Sequence, residues 1–352
     1  MLTRFAPAIG GAVPSCTKGV LLVAIVLAVC NSLFADERTR FQGATMGTTY
    51  EVKIVDLSEQ IDAEALGGEI ETELERVNGL MSTYLVDSEL SRFNTSDSTD
   101  WITVSDDTRI VIDEALGVSR FTNGAFDVTA GPLVNLWGFG PGESSSVVPS
   151  DELIQLAKAS VGYRRLHTNA SFSAVKKDHP DIYIDLSAIA KGYAVDKVAE
   201  LLESMGIGNY LVEVGGELRA SGVNQKHRNW TIAIEKPLPQ QQAVQRLVRL
   251  KDAAIATSGD YRDFFEHDGR MYSHTIDPRT GRPVDHQLAS VAVISDSTMF
   301  ADAMATALMV LGPIQGFELA ERERIAALFI VREQGNGFKE RITQAFAPYL
   351  IN

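Results

Sequence analysis

The stretch that most constrains the fold is residues 210–294, a succession of short β-strand patterns joined by tight turns. One of these turns is His267-Asp268-Gly269, which lies between two runs rich in β-forming residues. Helical patterns flank this block on both sides, without regular βαβ alternation. The sequence therefore predicts an α+β fold, with mixed but largely antiparallel sheets flanked by helices.

Outside that block, extended and helical patterns follow one another at irregular intervals, and residues 49–55 alternate as a strand does. Helices are predicted over residues 58–81, 106–121, 151–159, 187–206 and 298–311, with a further helix and a strand after them. Ser58 is the expected N-cap of the first helix, and Asn123-Gly124 the expected end of the second. The Gly-, Ser- and Pro-rich residues 138–149 are the best candidate for an internal linker.

The N-terminus departs from the pattern of a globular protein. An uncharged run of about 12 residues is preceded by Arg4 and Lys18 and by no acidic residue. A membrane-spanning helix needs roughly 20 apolar residues, whereas this length suits the apolar region of a secretory signal. Ala35 offers a small residue at a cleavage site, and Cys30 offers a weaker lipoprotein site. We expect export to the periplasm. The sequence leaves open whether the exported protein is also anchored to the inner membrane as a lipoprotein.

This assignment gives a signal peptide over residues 1–35 and a functional domain over residues 36–352. Both cysteines, Cys16 and Cys30, precede the cut, so the domain has neither a disulfide nor thiol chemistry available. The cut also removes two positive charges, which takes the net charge from −14 to −16. Such a charge argues against nucleic acid or anionic lipid as the main partner.

His274 stands at a predicted strand end, directly before an Asp-Pro-Arg-Thr-Gly turn at residues 277–281. Turn chemistry explains Asp277, Pro278 and Gly281 but not the histidine. Histidine is the most frequent general acid or base in enzymes, so His274 is a candidate catalytic residue. A structural histidine is the alternative that the pattern leaves open.

A second candidate is the junction around Asp185, where a predicted strand runs into a helix carrying Ser187, Ala188 and Lys191 in its first turn. Exposed amides and the positive end of the helix dipole attract anions there, and Lys191 adds a full positive charge. The junction is therefore a plausible phosphate site. A capped helix with a surface lysine is the alternative.

A third candidate is the pair Asp302 and Thr306, whose i, i+4 spacing places both oxygens on one helical face among small alanines. Oxygen ligands suit Mg²⁺, which usually keeps a substrate phosphate as a further partner. Two side chains are too few for a strong site. The glycine-containing turns at residues 213–217 and 256–260 would allow a ligand close to the backbone, although ordinary hairpin turns fit them equally well.

Taken together and in order, these segments resemble the ApbE family of FAD:protein FMN transferases. The resemblance covers roughly residues 41–331. Its matching stretches are residues 45–48, 82–84, 87–94, 124–129, 131–133, 185–192, 213–217, 257–261, 273–283 and 302–312. The chain departs modestly from the family pattern at Ser187, where many relatives have Gly, and at Met304, where they often have Leu. The sequence contains none of the motifs that would indicate another enzyme class, namely a Walker A loop, a dinucleotide-binding GxGxxG after a strand, a GxSxG elbow or an HExxH motif.

The resemblance implies an exported, magnesium-dependent transferase that splits FAD and releases AMP. The FMN half is joined by a phosphoester to a Thr or Ser of an acceptor protein, such as a subunit of a sodium-pumping quinone reductase or a related membrane redox complex. It implies His274 and Asp302 as catalytic residues, and Mg²⁺ ligands from Asp302, Thr306 and the main-chain carbonyl of Ala188. The implied FAD contacts are Met46, Tyr84, Ala125, Phe126, Asp127, Asp185, Lys191, Ser258 and the main chain near Ile276.

Two other functions fit the same residues. In an FAD pyrophosphatase, water would replace the acceptor hydroxyl and free FMN would be released. A periplasmic flavin-binding protein would hold FAD without turnover, although storage needs neither a metal pair nor a base.

Overall fold

The computed structural model describes residues 38–141, 147–239, 243–261, 263–333, 335 and 337–351. Residues Arg38–Asn352 form one compact unit. The predicted signal peptide, its cleavage site and Cys30 lie outside the described residues and stay predictions.

Helices and strands follow one another irregularly along the chain. The described helices are α1 Ala63–Met81, α2 Glu89–Thr95, α3 Asp106–Phe121, α4 Gly131–Leu136, α5 Asp151–Lys158, α6 Ala190–Ser204 and α7 Thr298–Arg322. The strands are β1 Arg38–Thr45, β2 Thr48–Val55, β3 Ile102–Thr103, β4 Leu166–Asn169, β5 Ala174–Lys177, β6 Tyr210–Val214, β7 Glu217–Ser221, β8 Trp230–Glu235, β9 Val244–Leu250, β10 Ala253–Gly259, β11 Phe264–His267, β12 Arg270–Ser273, β13 Ile276–Asp277, β14 Arg282–Pro283, β15 Leu288–Ser295, β16 Ala326–Arg332 and β17 Phe338–Ile342.

A central sheet organises the fold, in the order β1-β2-β6-β7-β10-β15-β16-β17. A small sheet β3-β5-β4 and the hairpins β8–β9, β11–β12 and β13–β14 surround it. Within the described residues every strand pair is antiparallel. The predicted α+β fold with largely antiparallel sheets is therefore confirmed.

The two faces of the central sheet enclose two hydrophobic cores, because successive strand residues point to opposite sides. On β15, Val291 and Val293 face a core shared with α1, α3, α6 and α7. Ala292 and Ile294 face the opposite core, which the β8–β9 hairpin and the C-terminal segment close. The sheet is thus covered by helices on one face and by β structure on the other.

The helix α7 is apolar enough to be taken for a membrane span, with a mean hydropathy of 1.3, but 61% of the window that qualifies is buried inside the protein. It is a core helix with a break. Gly312 has φ of 78° and ψ of −176°, followed by Pro313, so two helical segments meet there. The predicted end of a helix at residue 311 and the start of another after it match this break. Two strands, β16 and β17, follow rather than one.

Two local predictions need correction. Helix α1 begins at Ala63, capped by Asp62, which accepts hydrogen bonds from the main-chain N–H groups of Glu64 and Ala65. Ser58 instead closes a turn by accepting from N–H of Gln60. The predicted linker at residues 138–149 does not separate two domains, because its described parts belong to the same compact unit as the rest.

The predicted strand ending at Asp185 and the helix start at Ser187 are also wrong. Asp185 lies in irregular backbone, tied by its N–H to the carbonyl of Val128 at 2.8 Å. Its side chain accepts from N–H of Ser187, and the turn that follows delays the helix α6 to Ala190. Strand β1 was not predicted at all.

Candidate active site

A cavity of about 840 Å³ opens where the ends of β2, β6, β7 and β10 meet the first turn of α6 and the middle of α7. Its volume lies in the range of small-molecule sites. The predicted site residues that line it are Tyr84, Ala125, Phe126, Asp127, Asp185, Ala188, Lys191, Ser258, His274, Ile276, Asp302 and Thr306. The structure therefore brings together side chains from six separate parts of the sequence.

Met46 is the exception among the predicted FAD contacts. It lies in the β1–β2 turn with φ of 48°, and its side chain packs against the main hydrophobic core rather than lining the cavity. The turn backbone directs the next residues toward the cavity instead, so Thr48 and Thr49 line it. A contact of Met46 with FAD stays a prediction.

The close crossing of α6 and α7 forms the floor of the cavity. A Cβ on Gly192 would lie 2.4 Å from the carbonyl oxygen of Thr298, so only glycine fits there. The N–H of Gly192 donates to Oδ2 of Asp302 at 3.0 Å. The first turn of α6 is thus held against α7, and this amide binds a protein carboxylate rather than standing free for phosphate.

Asp196 ties the same two helices together one turn farther along α6. Its carboxylate accepts from N–H and Oγ1 of Thr298, from N–H of Met299 and from Oγ of Ser297, at 2.7 to 3.0 Å. These bonds satisfy amides at the N-terminus of α7 that have no partner inside the helix. Asp196 therefore fixes the register of α7 on α6.

Lys191 is not the surface lysine that the alternative interpretation allowed. Its Nζ lies 2.7 Å from Oε2 of Glu217, a residue that is only 2% exposed. Burial opposes the charge on Lys191, but the carboxylates of Glu217 and Asp302 outweigh it and raise its pKa. Gly215 leaves room for this approach: its φ is 61°, and a Cβ there would lie 3.2 Å from Cδ of Lys191 and 2.8 Å from Cγ2 of Thr48.

Burial raises the pKa of Asp302 and of Glu217, while Lys191 acts in the opposite direction on both. One ammonium group thus faces two buried carboxylates. An additional cation would relieve this imbalance. The sequence analysis singled out the Gly-Gly turn but gave Glu217 no role; the available signal was an acidic residue placed directly after that turn, at the start of a strand.

Three residues that carry oxygen donors, Ala188, Asp302 and Thr306, line the cavity beside this floor. Among the described residues no hydrogen bond reaches the carbonyl of Ala188, whereas that of Leu186 accepts from the main-chain N–H groups of Ile189 and Ala190. Oγ1 of Thr306 lies 3.0 Å from Oγ of Ser258. Together with the Asp302 carboxylate, these donors are the hard oxygen ligands that Mg²⁺ takes. The residues present therefore fit a magnesium ion, although the described part of the chain holds no cluster of three His, Cys, Asp or Glu.

His274 lies on the opposite side of the cavity, after β12. Its Nδ1 is 3.0 Å from the carbonyl oxygen of Asp263. A carbonyl can only accept, so Nδ1 carries the hydrogen, and Nε2 of the neutral ring is left as an acceptor. This tautomer is the one that a general base requires.

A stack of aromatic rings holds the β11–β12 hairpin that carries His274. Phe265 stacks on Tyr272 at 5.2 Å between ring centroids and on Phe139 at 5.6 Å, and Tyr272 stacks on Trp137. The ring of Phe139 also meets His274 edge-on. The Phe139 end of the predicted linker is therefore part of the site's support.

Asp127 is a structural group as well as a lining residue. Its Oδ1 accepts from N–H and Oγ1 of Thr129 at 2.8 and 2.6 Å, and its Oδ2 accepts from N–H of Tyr163 at 2.9 Å. Burial raises the pKa of Asp127, and these hydrogen bonds act against that rise. The loop over residues 125–131 is shaped by this carboxylate.

We expect Asp127→Ala to lower the free energy of unfolding by about 3 kcal/mol, because buried hydrogen bonds to a carboxylate are lost and two amides are left unpaired. Urea unfolding of the variant and the wild type measures this change. Asp127→Asn, which keeps Oδ1 as an acceptor, is the control and should lose less. A loss below about 1 kcal/mol in Asp127→Ala would show that the loop does not depend on these bonds.

Comparison with known proteins identifies close relatives of this chain. The model of the ApbE family matches residues 46–329. An FAD:protein FMN transferase of Vibrio cholerae serotype O1 is 48% identical over 314 residues, which cover 89% of this chain and 93% of that protein.

Solved structures agree with this result. The flavin transferase ApbE from Vibrio cholerae superposes with a TM-score of 0.83 at 47% identity, covering 89% of this chain and 99% of that one. The apo form of the Pseudomonas stutzeri flavinyl transferase ApbE gives a TM-score of 0.82 at 43% identity, covering 90% of this chain and 98% of that one.

Proposed function

This chain belongs to the ApbE family and is an FAD:protein FMN transferase, and on that basis we propose how it works and on what. It transfers the FMN half of FAD to a Thr or Ser hydroxyl of an acceptor protein, forms a phosphoester and releases AMP, with Mg²⁺ as cofactor. The acceptor is a subunit of a membrane redox complex. The observation that carries the proposal is that Asp302, Thr306 and Ala188 line the same cavity as His274, and that no hydrogen bond from the described residues reaches the carbonyl of Ala188.

In the transfer step, the acceptor oxygen attacks the phosphorus on the FMN side of the pyrophosphate. A new O–P bond forms as the P–O bond to AMP breaks, and AMP leaves with the electron pair. Nε2 of His274 accepts the hydroxyl proton, while the bond from Nδ1 to the carbonyl of Asp263 holds the ring in place. Positioning and electrostatics supply most of the rate in such a reaction.

Asp302, Thr306 and the carbonyl of Ala188 would hold the Mg²⁺, and Lys191 would lie beside it. Bound there, the ion would offset the negative charge that builds on the pyrophosphate oxygens. Because the protein supplies few ligands, oxygen atoms of FAD are needed to complete the site. Magnesium should therefore bind tightly only when FAD is present.

The rim of the cavity offers an aromatic surface for a flavin or adenine ring. The side chain of Tyr84 is 68% exposed, a large fraction for an aromatic residue, while hydrogen bonds hold the main chain at this position. Its N–H donates to Oγ of Ser82, whose carbonyl in turn accepts from Oγ of Ser88 at 2.6 Å. An exposed aromatic ring that lines a cavity suits stacking on a planar ligand.

We also propose that residues 1–35 direct export to the periplasm, because their charge and apolar length are those of a secretory signal. A membrane redox complex with its flavin-bearing segment on that side of the membrane would then be within reach.

The direct test incubates the purified protein with FAD, Mg²⁺ and a soluble fragment of the flavin-bearing subunit of a sodium-pumping quinone reductase. We expect mass spectrometry to show one added FMN on a Thr or Ser of the fragment, with AMP formed in equal amount. A heat-inactivated enzyme is the control. If free FMN and AMP form while the fragment stays unlabelled, the protein acts as an FAD pyrophosphatase and the transfer proposal is wrong.

A further inference from the structure

One wall of the cavity is made by the edge of strand β8 rather than by one of its faces. Four consecutive residues, Ile232 to Glu235, line the cavity. Successive side chains of a strand point to opposite faces of the sheet. Four consecutive residues therefore line one cavity only when that cavity borders the edge of the strand. Ile234 packs into the second core, while Thr231 and Ala233 are exposed.

The pairing of β9 shows which β8 backbone groups point to that edge. Val248 of β9 bridges to Leu350, and the N–H of Ile351 donates to the carbonyl of Leu247 at 3.3 Å. Leu247 thus directs its carbonyl toward the C-terminal segment. Hydrogen-bonding direction alternates along a strand, so Val248 directs its N–H and C=O toward β8.

The residue opposite Val248 is Ile232, so the N–H and C=O of Ile232 form hydrogen bonds with β9. By the same alternation, Thr231 and Ala233 direct theirs away from β9, to the outer edge of β8, along which residues 232–235 line the cavity. Within the described residues β8 pairs with β9 alone, and no hydrogen bond reaches the main chain of Thr231 or Ala233 on that outer side.

The two outer edges of this hairpin thus differ. The chain's own C-terminal residues Leu350 and Ile351 cover the edge of β9. No strand among the described residues pairs with the outer edge of β8, and an open strand edge is a template for pairing with another chain. It lies along the cavity that contains His274 and Asp302.

We propose that the open edge of β8 binds an extended segment of the acceptor protein as an added strand, through the main-chain groups of Thr231 and Ala233. The inference rests on the proposed function, since the second substrate is a protein whose hydroxyl must reach into a cavity. An extended segment can bring one side chain over the cavity while its backbone pairs with β8. Backbone pairing also tolerates different sequences around the target residue.

The test replaces Ala233 by proline, which removes the outward N–H but leaves the β8–β9 hydrogen bonds untouched, as edge positions allow. The probe is the same soluble fragment of the flavin-bearing quinone reductase subunit. We expect the KM for the fragment to rise on the order of ten-fold. One hydrogen bond to the fragment is lost, and the proline ring occupies the space in which the fragment's backbone would approach.

The matched control is Ala233→Val, which changes the side chain and keeps the N–H. Its KM for the fragment should lie about ten-fold below that of Ala233→Pro. Thermal unfolding of both variants reports whether the hairpin still folds. An independent measurement on the wild type is amide hydrogen exchange over residues 230–235, with the fragment added and FAD omitted, where we expect slower exchange.

The docking site would be overturned by equal KM values for the proline and valine variants, or by amide exchange that does not change when the fragment is added. In either case, transfer of FMN by the wild type would still support the proposed function. If the wild type does not label the fragment at all, the proposed function fails, and the inference that rests on it fails too.

Discussion

Replacing Asp302 by alanine should lower the rate of FMN transfer by on the order of 10²–10³-fold and remove its dependence on Mg²⁺. A metal that offsets charge in a transition state contributes several kcal/mol, which corresponds to a loss of this size. Asp302 is the one carboxylate among the proposed ligands, so its removal leaves only neutral oxygen donors. The rate should be measured at saturating FAD over a Mg²⁺ titration.

The control for Asp302→Ala is Asp302→Asn, which keeps an acceptor for the N–H of Gly192 but lacks the charge. Both variants should lose Mg²⁺ binding in calorimetry with FAD present, whereas the asparagine variant should keep more of its thermal stability. An Asp302→Ala enzyme whose rate still rises with Mg²⁺ as the wild type does would show that the cation binds elsewhere.

Replacing His274 by alanine should lower the transfer rate by 10²–10⁴-fold, the usual contribution of a general base. The effect should fall on kcat, because the imidazole acts on the acceptor hydroxyl during the transfer. Single-turnover rates of the variant and the wild type, measured at saturating FAD and acceptor, give this ratio.

The matched control for His274→Ala is His267→Ala, in the same β11–β12 hairpin. His267 is exposed beside Asp268 and does not line the cavity. Its variant should transfer FMN within about two-fold of the wild type. If His274→Ala retained the wild-type rate, another group or solvent would have to accept the proton.

Much of the candidate site was predictable, because its residues sit in local patterns with a chemical meaning. The spacing of Asp302 and Thr306 on one helix predicted two oxygen donors on one face, and both line the cavity. The histidine that a turn could not explain lines it too. The fold class followed from the block of strands at residues 210–294, where turn residues recur between extended runs.

What the sequence could not reveal depends on contacts between distant segments. Glu217 pairs with Lys191 only because the β6–β7 turn and the start of α6 are brought together in the folded protein. The open edge of β8 depends on where the C-terminal residues pair. The start of α1 was misplaced for a local reason, since both Ser58 and Asp62 are good capping residues and only one was used.

The bond between Gly192 and Asp302 joins residues 110 positions apart in the chain. Contacts of such sequence separation form late, because the chain between them must first be ordered. A ribosome synthesises the first turn of α6 well before α7, so a growing chain carries Ala188 and Lys191 before it carries Asp302. A chain that has emerged only as far as α6 therefore lacks half of the cavity floor, and the candidate site is assembled only when α7 packs on α6.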